Sequence, residues 1–163
     1  MKTFFKITGL VLVILLVVIQ FVGPERTNPV AAPEQSIHAQ VQVPADVRAI
    51  VERSCIDCHS NDTRWPWYSR VAPVSWLVID HVNHGRRHMN FNEWNTHREH
   101  WTEGFDTPAL LQSMCNEVTH QAMPLPSYTR MHRSAPLSPA EVKTLCAWTE
   151  AERTRLAQTQ PTP

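Results

Sequence analysis

The chain has 163 residues, 15 Lys and Arg balanced by 15 Asp and Glu, 42% hydrophobic residues, 13 prolines and four glycines. That length holds one ordinary domain plus a leader, and the composition excludes a disordered chain; so few glycines argue against a β-rich protein full of tight turns. Beyond residue 23 the balance is thirteen Lys and Arg against fifteen Asp and Glu, a net of −2, so no basic face is left for DNA or RNA and nucleic acid is not an expected partner.

Residues 1–6 form a short basic start with Lys2 and Lys6. Residues 7–22 follow without a charge; counted from Phe4, the stretch reaches 19 residues, or about 28 Å as a helix, just enough to span a bilayer. A cleaved signal peptide is the competing reading, but the segment leaves through Gln20-Phe21-Val22-Gly23-Pro24 without a small-x-small site, and the first alanine pair is Ala31-Ala32. An uncleaved anchor is expected, with Lys2 and Lys6 held inside and everything after residue 23 outside, the periplasmic side in a bacterium.

Residues 23–43, with Pro24, Pro29 and Pro33 and no apolar periodicity, read as an extended tether. Residues 44–156 read as one all-α domain. Pro44 opens a first helix, with Val47, Ile50 and Val51 at helical spacing, that delivers the chain into Cys55. Residues 60–70 read as a loop with its own aromatic cluster. A second helix is expected over about 73–86, with Val74, Leu77, Val78, His81 and Val82 as its apolar stripe, and a shorter one from Asn92. Asp106-Thr107-Pro108 opens another, with Leu110, Leu111, Met114, Cys115 and Val118 on one face; Ser138-Pro139-Ala140-Glu141 is a capping box that starts the last. Residues 157–163 read as a disordered tail.

The chemistry concentrates in Cys55-Ile56-Asp57-Cys58-His59. Two thiols three residues apart reach the two vinyl groups of one porphyrin, and the adjacent His59 reaches its iron, so the segment predicts one covalently attached haem, haem c, with His59 as proximal ligand. Zinc would need a second close ligand pair, and a redox dithiol a βαβ context; neither is present. A disulfide between Cys55 and Cys58 is the plain alternative. For the sixth iron ligand, Met123 in Gln121-Ala122-Met123-Pro124-Leu125-Pro126 is preferred, its backbone stiffened by two prolines, although methionine also fills core gaps. His81, His84, His88 and Met89 are lesser candidates, while His97, His100, His120 and His132 read as surface residues. Arg86 and Arg87 either pair with haem propionates or form a solvated helix end. Cys115 and Cys146, on the apolar faces of the last two helices, are expected to form a disulfide in an oxidising compartment.

Several segments in order, Cys55-Ile-Asp-Cys58-His59-Ser-Asn-Asp-Thr-Arg-Trp65-Pro66-Trp67-Tyr68, Ala72-Pro73-Val74-Ser75-Trp76, Gly85-Arg86-Arg87-His88-Met89-Asn90-Phe91-Asn92-Glu93-Trp94 and Met123-Pro124-Leu125-Pro126-Ser127-Tyr128, resemble the bacterial haem-binding domain family, a c-type cytochrome-like group. The resemblance covers about residues 40–150, and Pro24 to Pro29 is similar too; Met89 departs from it, standing where a leucine is expected. It implies a cytochrome c-like helical fold and haem binding through Cys55, Cys58 and His59. The expected role is electron transfer with a periplasmic or membrane redox partner rather than an enzyme's. The alternative is a haem-based sensor or peroxidase-like protein with an open or displaceable sixth site. Trp65, Trp67, Tyr68 and Trp76 are expected to pack in the core or haem pocket, or else to form a docking surface.

Overall fold

The computed structural model describes residues 1–94 and 106–159 and is all-helical, with no strand among the described residues. Helix α1 (Lys2–Val18) continues through a 3₁₀ turn (Ile19–Phe21); together they give a predominantly apolar span of 20 residues, long enough to cross a membrane, and none is buried. The domain follows as α2 (Ala45–Ser54), α3 (Ile56–His59), α4 (Val74–His88), α5 (Thr107–Thr119), α6 (Pro126–Met131) and α7 (Pro139–Thr159).

The expected starts of α5 and α7 hold because each has its side-chain cap. Asp106 accepts from the Ala109 amide at 2.9 Å at the head of α5. Ser138 and Glu141 bond reciprocally at the head of α7: the Glu141 carboxylate accepts from the Ser138 amide at 2.8 Å and hydroxyl at 2.7 Å, and the Glu141 amide donates back to Ser138 Oγ at 3.3 Å. Pro44 stands one place earlier than expected, as the N-cap of α2. The segment from Asn92 does not open a helix within its described part: Asn92–Trp94 are bend and turn, and residues 95–105, with His97 and His100, lie outside the described residues.

The bonds from Ser138, then the Arg53 guanidinium at 2.7 Å, hold the Glu141 carboxyl down at about 2. Its folded value lies below the unfolded one, so its contribution to stability is complete above pH about 4.5 and is lost as pH falls toward 2. Melting temperature followed across that window should fall less steeply in Glu141→Gln than in the parent chain. An identical pH dependence in the two would contradict the assignment.

The core forms where α5 packs against α7. Leu110, Leu111, Met114 and Val118 from α5 meet Leu145 and Trp148 from α7, with Val47 of α2, Phe91 and Trp94 closing the cluster. Cys115 faces Cys146 across this pairing, their Cα atoms 4.9 Å apart, within the span a disulfide needs.

Residues 23–43 are largely extended but fastened along the domain. Ile37 is buried and its amide donates to the Phe91 carbonyl at 2.8 Å. The Gln42 amide donates to Glu152 at 3.0 Å and the Trp148 indole to the Gln42 carbonyl at 2.7 Å. Nearer the anchor, Asn28 gives its amide to the Thr63 carbonyl at 3.0 Å and accepts from the Trp65 indole at 3.0 Å.

The stripe expected to bury on α4 divides. Of its members Val82 is buried, whereas Val74 and Leu77 stay exposed; all five, Val74, Leu77, Val78, His81 and Val82, line a cavity, and Ile79, outside the expected stripe, is buried in the interior. On the same helix Gly85 lies close against the main chain of Cys58 in α3, where a Cβ would come within 2.6 Å of the carbonyl oxygen.

Candidate haem site

Helix α3 is a single turn carrying Cys58 and His59, with Cys55 as its N-cap. The amides of Cys58 and His59 both donate to the Cys55 carbonyl, at 3.2 and 3.0 Å, which brings Cys55, Cys58 and His59 to one side. All three line a cavity of about 480 Å³, together with Met123, Met89, His81, His84, His88, Leu110, Met114 and Leu145. A second cavity of about 340 Å³ adjoins it, sharing Cys58, His81, Leu125 and Tyr128 as walls. The larger wall also carries Ser54, whose buried hydroxyl has no hydrogen-bond partner among the described residues.

The donor set fits haem and fits its rivals poorly. Cys55 and Cys58 are unbridged. Burial, then the neighbouring Cys58, pushes the Cys55 thiol up to about 12; burial, then Asp57, pushes Cys58 up to about 11. A reactive dithiol calls for the opposite displacement. No group of three or more His, Cys, Asp or Glu able to hold a metal ion occurs among the described residues. His59 Nδ1 lies 3.1 Å from the Met89 carbonyl. A carbonyl only accepts, so Nδ1 carries the proton and Nε2 the lone pair that an iron ligand presents.

That contact rests on a network the sequence reading did not anticipate. The Phe91 amide donates to the His59 carbonyl at 2.8 Å. Asn90, buried, donates to Asn61 Oδ1 at 2.8 Å; the Asn61 side chain donates to Glu93 at 2.7 Å, and its amide to Asn92 Oδ1 at 2.9 Å. These bonds lace residues 59–62 to 90–93 and so place the Met89 carbonyl over His59. The run Asn90-Phe91-Asn92-Glu93 was the available signal, since three polar side chains in a short connection often serve a site.

Met123 is brought in from two sides. Its amide donates to the Glu117 carbonyl at 3.2 Å beyond the end of α5, where Gln121 takes the left-handed conformation at φ 58°. On its other side, α6 was not foreseen, and its Tyr128 hydroxyl donates to Asp57 Oδ2 at 2.7 Å, the residue between the two cysteines. Asp57 Oδ1 also accepts from Arg64 Nε at 3.1 Å. Burial and then the bond to Asp57 raise the Tyr128 pKa well above the usual phenol value, so it stays a donor.

Other candidates separate. His84 and His88 are exposed on one face of α4, their Nε2 atoms 2.8 Å apart, and burial followed by His84 lowers the His88 pKa. His132, expected at the surface, is half-buried in the second cavity, stacked on Tyr128 with ring centroids 4.1 Å apart and bonded to the Tyr68 hydroxyl at 2.8 Å; the sequence hides this because its partner is 64 residues away. Arg87 is exposed. Arg86 lines neither cavity: its guanidinium donates to the Ser60 carbonyl at 2.7 Å, the Thr27 carbonyl at 2.8 Å, Thr63 Oγ1 at 2.8 Å and Asn28 Oδ1 at 3.2 Å. The four aromatics also part company: Trp67 and Tyr68 line the second cavity, while Trp65 and Trp76 give their indole N–H groups to Asn28 and to the Val22 carbonyl.

Comparison with curated proteins and with solved structures gives no match. Residues 14–151, most of the chain, match the haem-binding domain family, and with the Cys55–His59 turn, the oriented histidine and the cavity in place, this chain belongs to that family.

Proposed function

We propose that the protein is a membrane-anchored, periplasmic c-type cytochrome-like carrier with one haem held by thioethers at Cys55 and Cys58 and ligated by His59 and Met123. The observation that carries this reading is the convergence of those four side chains on one cavity, with His59 Nδ1 engaged by the Met89 carbonyl. A haem held there would supply a one-electron iron couple, and ligation by a thioether as well as an imidazole would raise its potential and close the iron to small ligands. The chain's part is to orient His59 through Met89, to hold Met123 between Glu117 and Tyr128, and to keep water off with Leu110, Met114 and Leu145. Its partner is a redox protein of the periplasm or the membrane. The cavity's other donors, His81, His84, His88 and Met89, are what a sensor or peroxidase with a displaceable ligand would draw on.

Expression with the export and haem-attachment machinery should yield a denatured chain heavier by one haem. A mass equal to the bare polypeptide would refute covalent attachment. Met123→Ala should abolish the far-red methionine–iron band of the oxidised protein and admit carbon monoxide to the reduced one, whereas His81→Ala and Met89→Ala should leave both unchanged. Rapid carbon monoxide binding by the parent protein would instead establish the displaceable-ligand reading.

The same compartment favours a Cys115–Cys146 bridge, closing a loop of 31 residues and contributing about 3–4 kcal/mol in the chain-entropy view. Mass spectrometry should register two added hydrogens at this pair after reduction. No gain would mean the thiols are unbridged.

A further inference from the structure

We propose that the face built from Trp67, Val71, Val74, Leu77 and Met131 lies in the headgroup region of the bilayer that α1 crosses, so that the haem domain sits on the membrane rather than swinging above it. The proposal rests on reading α1 as a retained anchor.

The end of the apolar helix is clasped by the domain. Gln20 bonds the Ala72 main chain in both directions, its Nε2 donating to the carbonyl at 3.2 Å and its Oε1 accepting from the amide at 2.9 Å. The Trp76 indole donates to the Val22 carbonyl at 2.7 Å, and Arg26 to the Ser69 carbonyl at 2.9 Å. Gly23 passes so near Trp76 that a Cβ there would lie 2.6 Å from the indole nitrogen. With fastenings at residues 20, 22 and 26, no slack remains between the membrane exit and the domain, and Ala72 is held at the depth of Gln20.

The surface around that junction is apolar where an exported domain would ordinarily be polar. Trp67 is 72% exposed, Leu77 54%, Met131 55%, Val74 46% and Val71 44%. Val71, Val74 and Leu77 recur every third residue on the chain entering α4, next to the clasped Ala72. Trp67, Val74, Leu77 and Met131 together line the second cavity; exposed apolar side chains grouped in this way mark an interaction site, and continuity with the membrane-spanning segment through Ala72 and Gln20 identifies the occupant as lipid of the same leaflet. Tryptophan is enriched at this depth, and the exposed Arg70 between Trp67 and Val71 can send its charge to the phosphates while its stem lies on apolar surface.

The test uses the full-length holoprotein in nanodiscs of phosphatidylethanolamine and phosphatidylglycerol. Nitroxide labels are placed one at a time through Val11→Cys in α1, Leu77→Cys in the patch and Lys143→Cys on exposed α7; the parent chain carried through labelling sets the background. The expected result is a hydrocarbon environment at position 11 and an oxygen-to-nickel-reagent collision ratio at position 77 several-fold above that at 143. Position 11 in hydrocarbon with 77 matching 143 would overturn the proposal and leave the anchor standing. A water-exposed position 11 would remove the anchor reading and the proposal with it. Broadening at position 77 that vanishes on dilution with unlabelled chain would put a second copy on the patch, which also overturns it.

Discussion

Gly85→Ala should sharply lower both the stability of the domain and its yield of attached haem, although alanine is the better helix former by about 1 kcal/mol at an interior helical position. A Cβ on Gly85 would lie 2.6 Å from the Cys58 carbonyl oxygen, 3.1 Å from its carbonyl carbon and 3.3 Å from its Cβ. The obstacle is backbone of the attachment turn, which cannot rotate aside as a side chain can. Helix α4 must retreat from α3, and its retreat disturbs both the Met89 carbonyl that orients His59 and the cavity wall formed by His81, His84 and His88. Overpacking of this kind costs about 1–3 kcal/mol, enough to outweigh the helix-propensity gain. Gly9→Ala is the control, since nothing lies within 4 Å of a Cβ there. Thermal unfolding and in-gel haem staining of the two variants decide the matter: equal stability and equal staining would show that α4 and α3 do not meet as described.

The second large effect is expected from Arg86→Met. The side chain is buried and its four bonds join α4 to the Ser60–Thr63 loop and to Thr27 and Asn28. Burial lowers its pKa, while Glu93 is the strongest of the charges that favour its cation. Methionine keeps much of the stem volume but strands the Ser60 and Thr27 carbonyls, and a buried acceptor left without a donor costs about 1–3 kcal/mol. A total loss of about 3 kcal/mol is expected, accompanied by protease cleavage within residues 24–32 in the folded protein. Arg86→Lys should recover only part of it, because one ammonium cannot address acceptors that a planar fork reaches together. Unchanged stability with a shifted haem reduction potential would instead indicate a propionate contact. Destabilisation with an unshifted potential is the expected outcome.

What the amino-acid sequence determines here is what neighbouring residues can encode between themselves. The uncharged run of residues 7–22, the one-turn spacing of Cys55, Cys58 and His59, the Asp106 cap and the Ser138–Glu141 box each depend on partners within about one helical turn. The i, i+3, i+4 faces of α5 and α7 were legible for the same reason, and they bury Leu111 and Leu145 as expected. The tertiary structure decides whatever depends on distant partners. Arg86 could be read as a propionate clamp because its acceptors lie 23 to 59 residues away. His132 looked superficial until Tyr68 and Tyr128 met it, and the tether looked unattached until Asn28, Ile37 and Gln42 found the domain. On α4 the periodicity was real but ambiguous: an apolar stripe records that Val74, Leu77 and Val78 avoid water, without recording whether core, cofactor or lipid replaces it. The tertiary structure answers part of this: Val74, Leu77 and Val78 line a cavity on the helix that Gly85 brings against Cys58.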